Sequence, residues 1–100
     1  MFIAMNRFRI ARGREDEFEK IWRERDSHLD RVPGFREFRL LKGPEDDEAT
    51  LYASHTVWDS REDFEAWTRS EAFRKAHAGA RAPEGVYLGH PRFEGFEAVL

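Results

Sequence analysis

The sequence holds no cysteine, no long apolar run and no basic block, and each absence removes a class of answer. Without cysteine there is neither a disulfide scaffold nor a thiolate metal site, and a reducing compartment is the expected setting. No stretch approaches the roughly 18 apolar residues of a membrane span, and the first residues read as a strand rather than a signal peptide. A cytoplasmic location with no membrane partner is therefore expected. The net charge is −3, and its positive residues are interspersed with acids, so no nucleic-acid partner is expected either. The chain also lacks G-x-G-x-x-G, P-loop and G-x-S-x-G motifs. Nicotinamide or flavin binding in the usual fold, phosphate cradling and serine hydrolysis are left without support. His28, His55 and His90 have no ligand-like spacing to one another or to an acid pair, which argues against a dedicated zinc site.

What the chain does hold is aromatic residues. They make up 14% of it, with nine Phe and three Trp, against 37% charged residues. A disordered chain of that charge would lack the rings. One hundred residues fit one domain, spanning 1–100, with a compact aromatic core under a solvated surface.

Hydrophobic periodicity divides the domain. Phe2 to Ala11 alternates, with Phe2, Ala4, Asn6, Phe8 and Ile10 on one face, as in a half-buried strand. Gly13 ends it. Phe18, Ile21, Trp22, Arg25, Leu29 and Val32 then fall at helical spacing behind an acid-rich first turn, and Pro33-Gly34 stops that helix. Phe35 to Lys42 and Ala49 to Trp58 read as strands joined by a solvated acidic hairpin loop. Ser60 begins a second helix with Asp63 at its third position, close to a capping box. Ser70 looks like a further cap, opening a short helix that carries Phe73 and His77. The tract from Ala82 to Pro91 reads as loop, and Arg92 to Val99 as the last strand.

The order β-α-β-β-α-β predicts an α+β, ferredoxin-like fold, with helices on one face of a four-stranded antiparallel sheet. Apolar groups at Ile3/Met5 and along Tyr52/Ser54/Thr56/Trp58 would then remain, because one helix layer cannot hide both faces. A homodimer that packs sheet on sheet is the expected solution.

Three residues stand out for chemistry. Asn6 shares a face with apolar neighbours. It is either a structural amide bonded to nearby backbone or a polar group aimed into an apolar ligand pocket. His77 is surrounded by Ala76, Ala78, Gly79 and Ala80, with Phe73 one turn earlier. It either satisfies carbonyls near a helix end or offers an imidazole to a large flat ligand, with Arg81 a turn later to meet an acidic group. Trp67 is core or cavity wall. On one straight helix, Trp67 and His77 would be separated by roughly 15 Å along the axis; a break at Ser70 is what lets both face one cavity. Trp22 and Arg23, on the first helix, either line that cavity or simply pack and solvate.

MFIAMNRFRIARG at the N-terminus, V-P-G-F at 32–35, and W-D-S-x-E-D-F-x-x-W-x-x-S-x-x-F-x-x-A-H from Trp58 to His77 resemble the haem-degrading monooxygenases of the antibiotic-biosynthesis-monooxygenase superfamily. The resemblance runs from residue 1 to about 81. It implies a dimeric α+β barrel of ferredoxin-like subunits, each with one haem between helices and sheet. It further implies His77 as the proximal iron ligand, Asn6 hydrogen-bonding oxygen species on the distal side, and Trp67 packing on the porphyrin and distorting it. Ile21 to His28 would line the haem pocket, with arginines reaching the propionates. Trp22, Arg23, Phe64, Phe73 and Arg81 are the expected cofactor-binding residues. Haem is then both substrate and oxygen-activating cofactor, its ligation by histidine being a standard arrangement. An external reductant, from a separate reductase, is required. The resemblance assigns no product. Two competing readings are a haem-binding or haem-buffering protein without turnover and a cofactor-free quinol monooxygenase of the same superfamily.

Overall fold

A computed structural model describes residues 1–25, 29–71, 73–74 and 84–100. The elements are β1 (Phe2–Ala11), α1 (Glu15–Glu24), a 3₁₀ turn (Leu29–Arg31), β2 (Phe35–Glu45), β3 (Ala49–Trp58), α2 (Arg61–Thr68) and β4 (Arg92–Glu97). The four strands form one antiparallel sheet in the order β2-β3-β1-β4, with the ferredoxin-like connectivity expected from the sequence.

Strand β1 explains where everything else sits. Its alternation buries Phe2, Ala4, Phe8 and Ile10 on the helix side. The run is interrupted at its middle by Asn6, and the core divides there. Phe8 and Ile10 join Phe18, Tyr52 and Val86 in one cluster, sealed by α1. Phe2 and Ala4 join Leu29 and Trp58 in a second, sealed by Phe64 and Trp67 of α2. Neither helix covers the stretch between the clusters.

Three expectations are corrected by the structure. The first helix does not run on to Val32: Arg25 is already extended (φ −79°, ψ 122°), ahead of Asp26 and Ser27, two poor helix formers that compete for backbone hydrogen bonds. Leu29 sits instead on a 3₁₀ turn, buried in the second cluster. Strand β2 is longer than expected, reaching Glu45 through irregular pairing with β3, and β4 ends at Glu97 rather than Val99. The hairpin tightens because the Asp46 carboxylate accepts hydrogen bonds from the backbone N–H groups of Glu48 and Ala49, both at 2.8 Å.

The third correction concerns β3. Phe2 pairs with Trp58, Ala4 with Thr56, Asn6 with Ser54 and Phe8 with Tyr52. Directly paired residues share a face, so Tyr52, Ser54, Thr56 and Trp58 lie on the helix side, not the uncovered one. The uncovered face carries Ile3, Met5, Leu41, Leu51, His55, Val57 and Phe96 among the charged residues Arg7, Arg9, Glu37, Arg39, Arg92 and Glu94. On it the Nδ1 atom of His55 is buried with no hydrogen-bond partner among the described residues.

Gly34 fixes the entry into β2. It holds φ +84°, and a Cβ there would stand 2.3 Å from the Asp63 carboxylate, so a side chain is excluded twice over. Its carbonyl accepts the Asp59 N–H at 2.8 Å, tying the start of β2 to the turn that leads into α2.

Candidate active site

The gap between the two clusters is a cavity of about 410 Å³. Its floor is the sheet, with Asn6 and Ala4 from β1 and Ser54 and Thr56 from β3. Thr56 is committed to the core: its hydroxyl accepts the Trp58 indole N–H at 2.9 Å. The Asn6 side chain, by contrast, forms no hydrogen bond with any described residue and borders the cavity. A carboxamide carries two donors and an acceptor, and here they face open space between aromatic walls.

One wall comes from α2 and the turn after it. Ser60 caps α2, its Oγ accepting the Asp63 N–H at 3.2 Å and donating to the Asp63 carboxylate at 3.0 Å. The helix stops at Thr68, and Ser70 does two things there. Its hydroxyl donates to the Trp67 carbonyl at 2.6 Å, closing α2, and accepts the Phe73 N–H at 3.1 Å, opening the next helical turn. The chain is thereby redirected so that Trp67 and Phe73 meet edge to face, with ring centres 4.8 Å apart and planes at 86°. Both line the cavity, as does Phe64, which stacks on Phe93 of β4 at 5.6 Å and 8°.

The opposite wall is Trp22, stacked on Phe38 of β2 at 5.7 Å and 17°. The guanidinium of Arg25 lies 4.7 Å from the centre of the Trp22 ring and borders the cavity. Burial pulls its pKa below the ordinary arginine value, partly opposed by Tyr87. It stays charged, because the ordinary value is so high, and is the cationic group among the described residues that line the cavity.

Of the residues expected at the site, the structure brings Asn6, Trp22, Phe64, Trp67 and Phe73 around one space. Arg23 is placed elsewhere: one helix position beyond Trp22, it is exposed, pairs with Glu19 at 3.7 Å and borders a neighbouring depression. His77 and Arg81 lie outside the described residues. Phe38, Phe93 and Leu29 were not anticipated as cavity residues. Phe38 and Phe93 sit on strands rich in charged residues, and only the pairing of Phe38 with Thr56 and of Phe93 with Asn6 brings them to the cavity. Among the described residues no group of three His, Asp or Glu side chains is arranged to hold a metal ion. No helix among them is long and apolar enough to cross a membrane.

The sequence matches the model of the antibiotic biosynthesis monooxygenase family over residues 1–79. It is 31% identical over 90 residues to a haem-degrading monooxygenase of Shouchella clausii, covering 90% of this chain and 83% of that protein. It is 35% identical over 98 residues to a mycobilin-producing haem oxygenase of Mycobacterium tuberculosis, covering 98% of this chain and 89% of that one. Among solved structures, a haem-degrader from Mycobacterium tuberculosis with two haems bound in its active site superposes with a TM-score of 0.77 at 33% identity. That alignment covers 100% of this chain and 97% of the other.

Proposed function

The chain belongs to the antibiotic biosynthesis monooxygenase family, and within it to the haem-degrading monooxygenases, and on that premise we propose that it binds haem in the cavity between the sheet and α2 and opens the macrocycle oxidatively, releasing iron. Relatives that degrade haem support the substrate, and the cavity's own chemistry supports the place. Among the described residues, its walls are flat rings, its floor has one uncommitted amide, and its rim has one guanidinium. That is the make-up of a site for a large apolar molecule with acidic groups at one edge.

The roles follow from position. Bound haem, once reduced by an external donor, supplies the activation of O₂. Asn6 would offer its amide to oxygen bound in the cavity. Trp67, held against Trp58 and Phe73, presses on the macrocycle and keeps water out. Arg25 meets a propionate. His77, four positions after Phe73 in sequence, would hold the iron, and Arg81 would be a second contact for the acidic edge.

The uncovered sheet face extends the proposal to a homodimer. Ile3, Met5, Leu41, Leu51 and Phe96 place apolar side chains on this face, beside the Arg7–Glu94 and Arg39–Glu37 ion pairs, and the His55 Nδ1, without a partner among the described residues, is a polar atom that a second copy can satisfy. Two such sheets back to back give the dimeric α+β barrel.

The uncommitted Asn6 amide carries the enzymatic reading, because a haem carrier has no use for it. Asn6→Ala is expected to bind hemin as the wild type does and to lose turnover in ascorbate. Equal turnover by Asn6→Ala and wild type would overturn the role.

A further inference from the structure

Besides its indoles, the polar side chains that line the cavity among the described residues are Asn6, Arg25, Ser54, Thr56 and Thr68. The two threonines are spent within the protein. Thr56 accepts the Trp58 indole N–H and donates to the Ala4 carbonyl at 3.3 Å, and Thr68 donates to the Glu65 carbonyl at 2.7 Å. Arg25 lies against the ring of Trp22 at the rim. Asn6 and Ser54 remain, and neither side chain forms a hydrogen bond with any described residue.

Ser54 is buried, at 7% exposure, in the middle of β3. Its cross-strand partners are Leu40 of β2 on one side and Asn6 of β1 on the other. Along β3 its neighbours on the same face are Tyr52, whose hydroxyl goes to Glu19, and Thr56, already committed. Burying a hydroxyl without a partner is costly, and an alanine would fill the same place at no such cost. The open space above the floor is where that hydroxyl can find a partner, and Asn6 stands directly beside it.

We propose that Ser54 is a second binding group for the reacting oxygen, its hydroxyl and the Asn6 amide forming a two-donor cradle on the cavity floor. The inference rests on the haem-degrading reading. Directly paired residues of an antiparallel sheet have Cα atoms about 4.5–5.5 Å apart and side chains on one face. The two side chains do not bond each other, so a small ligand can close the gap between them. One amide would hold such a ligand at a point and leave it free to swing. A second donor fixes its direction, and with it the part of the macrocycle that it faces. Both donors are neutral and stand among aromatic walls, where a hydrogen bond to developing negative charge counts for more than in water.

The test compares wild type with Ser54→Ala, which deletes the hydroxyl, and Ser54→Thr, which keeps it. The first readout is denaturant unfolding of the hemin-free chain, where Ser54→Ala is expected to have a midpoint no lower than wild type. The second is fluoride affinity of the ferric hemin complex, read by absorbance, because fluoride is a small anion that accepts hydrogen bonds on the iron. Ser54→Ala is expected to weaken fluoride binding by about tenfold, the scale of one charge-assisted hydrogen bond, and Ser54→Thr to restore it. Hemin affinity should stay within about twofold in both. A clear fall in the Ser54→Ala midpoint would assign the hydroxyl a structural partner and overturn the inference. So would fluoride affinity equal to wild type in a Ser54→Ala complex with a normal Soret band. Absence of a Soret band in wild type would instead overturn the haem-degrading reading, and the inference with it.

Discussion

The indole of Trp67 rests against that of Trp58, with ring centres 5.4 Å apart, one on the cavity wall and the other fully buried at the end of β3. Trp58 is therefore the backing of the wall as well as a core residue. Trp58→Ala is expected to cost about 3–5 kcal/mol of stability, the range for deleting a large buried ring. Ile10→Ala, in the other cluster, is expected to cost about 2–5 kcal/mol. Guanidinium unfolding measures both. Hemin titration at a denaturant-free condition where both remain folded should separate them: Trp58→Ala weakens binding and Ile10→Ala does not. Equal hemin affinity in the two variants would contradict the backing role.

Ser70 joins the two halves of the α2 wall through one hydroxyl. Ser70→Ala removes a cap worth about 1 kcal/mol and frees the turn that positions Phe73. Ser60→Ala removes a comparable cap at the far end of α2, away from Phe73. The expected result is a similar loss in unfolding midpoint for both, with lowered hemin affinity for Ser70→Ala alone.

The Ser70 break was legible in the sequence because a capping serine has a local signature, and the helix-facing side of β1 was legible because β1 alternates. The face of β3 was not. Its residues are buried or half-buried along its whole length, so the strand has no polar side to orient it, and only its register with β1 tells which residues look toward the helices. Phe38 and Phe93 were hidden for the same reason: each is a cavity residue by virtue of its cross-strand partner. The early end of α1 escaped because Leu29 and Val32 continue the helical period and pack on the core, Leu29 buried from the 3₁₀ turn and Val32 half-buried just after it.

Acid should loosen the β2–β3 hairpin first. Backbone N–H groups, that of Ala49 foremost and then that of Glu48, hold the Asp46 carboxyl below its ordinary value. The unfolded chain therefore takes up that proton at higher pH than the folded one. The stabilisation is complete above the ordinary aspartate range and is lost as pH falls through the lower, folded value. Asp46→Asn keeps an acceptor without the titration, so its unfolding midpoint should fall less steeply than that of wild type between about pH 5 and 2.5. Parallel curves would show that Asp46 is not the responsible group.

Arg25 is expected to matter for ligand charge rather than for the fold. Arg25→Gln should weaken hemin binding by about tenfold, as for the loss of one charge-assisted contact, and flatten its dependence on salt. A hemin affinity equal to wild type at low salt would remove Arg25 from the site.

The most direct test of the account is a hemin titration of the purified protein, followed by ascorbate and catalase in air. The expected result is a saturable Soret band that His77→Ala weakens. In the wild type the band should then bleach while free iron and a new pigment appear, catalase having excluded peroxide as the cause. A Soret band that forms and persists in ascorbate, or no band at all, would contradict it.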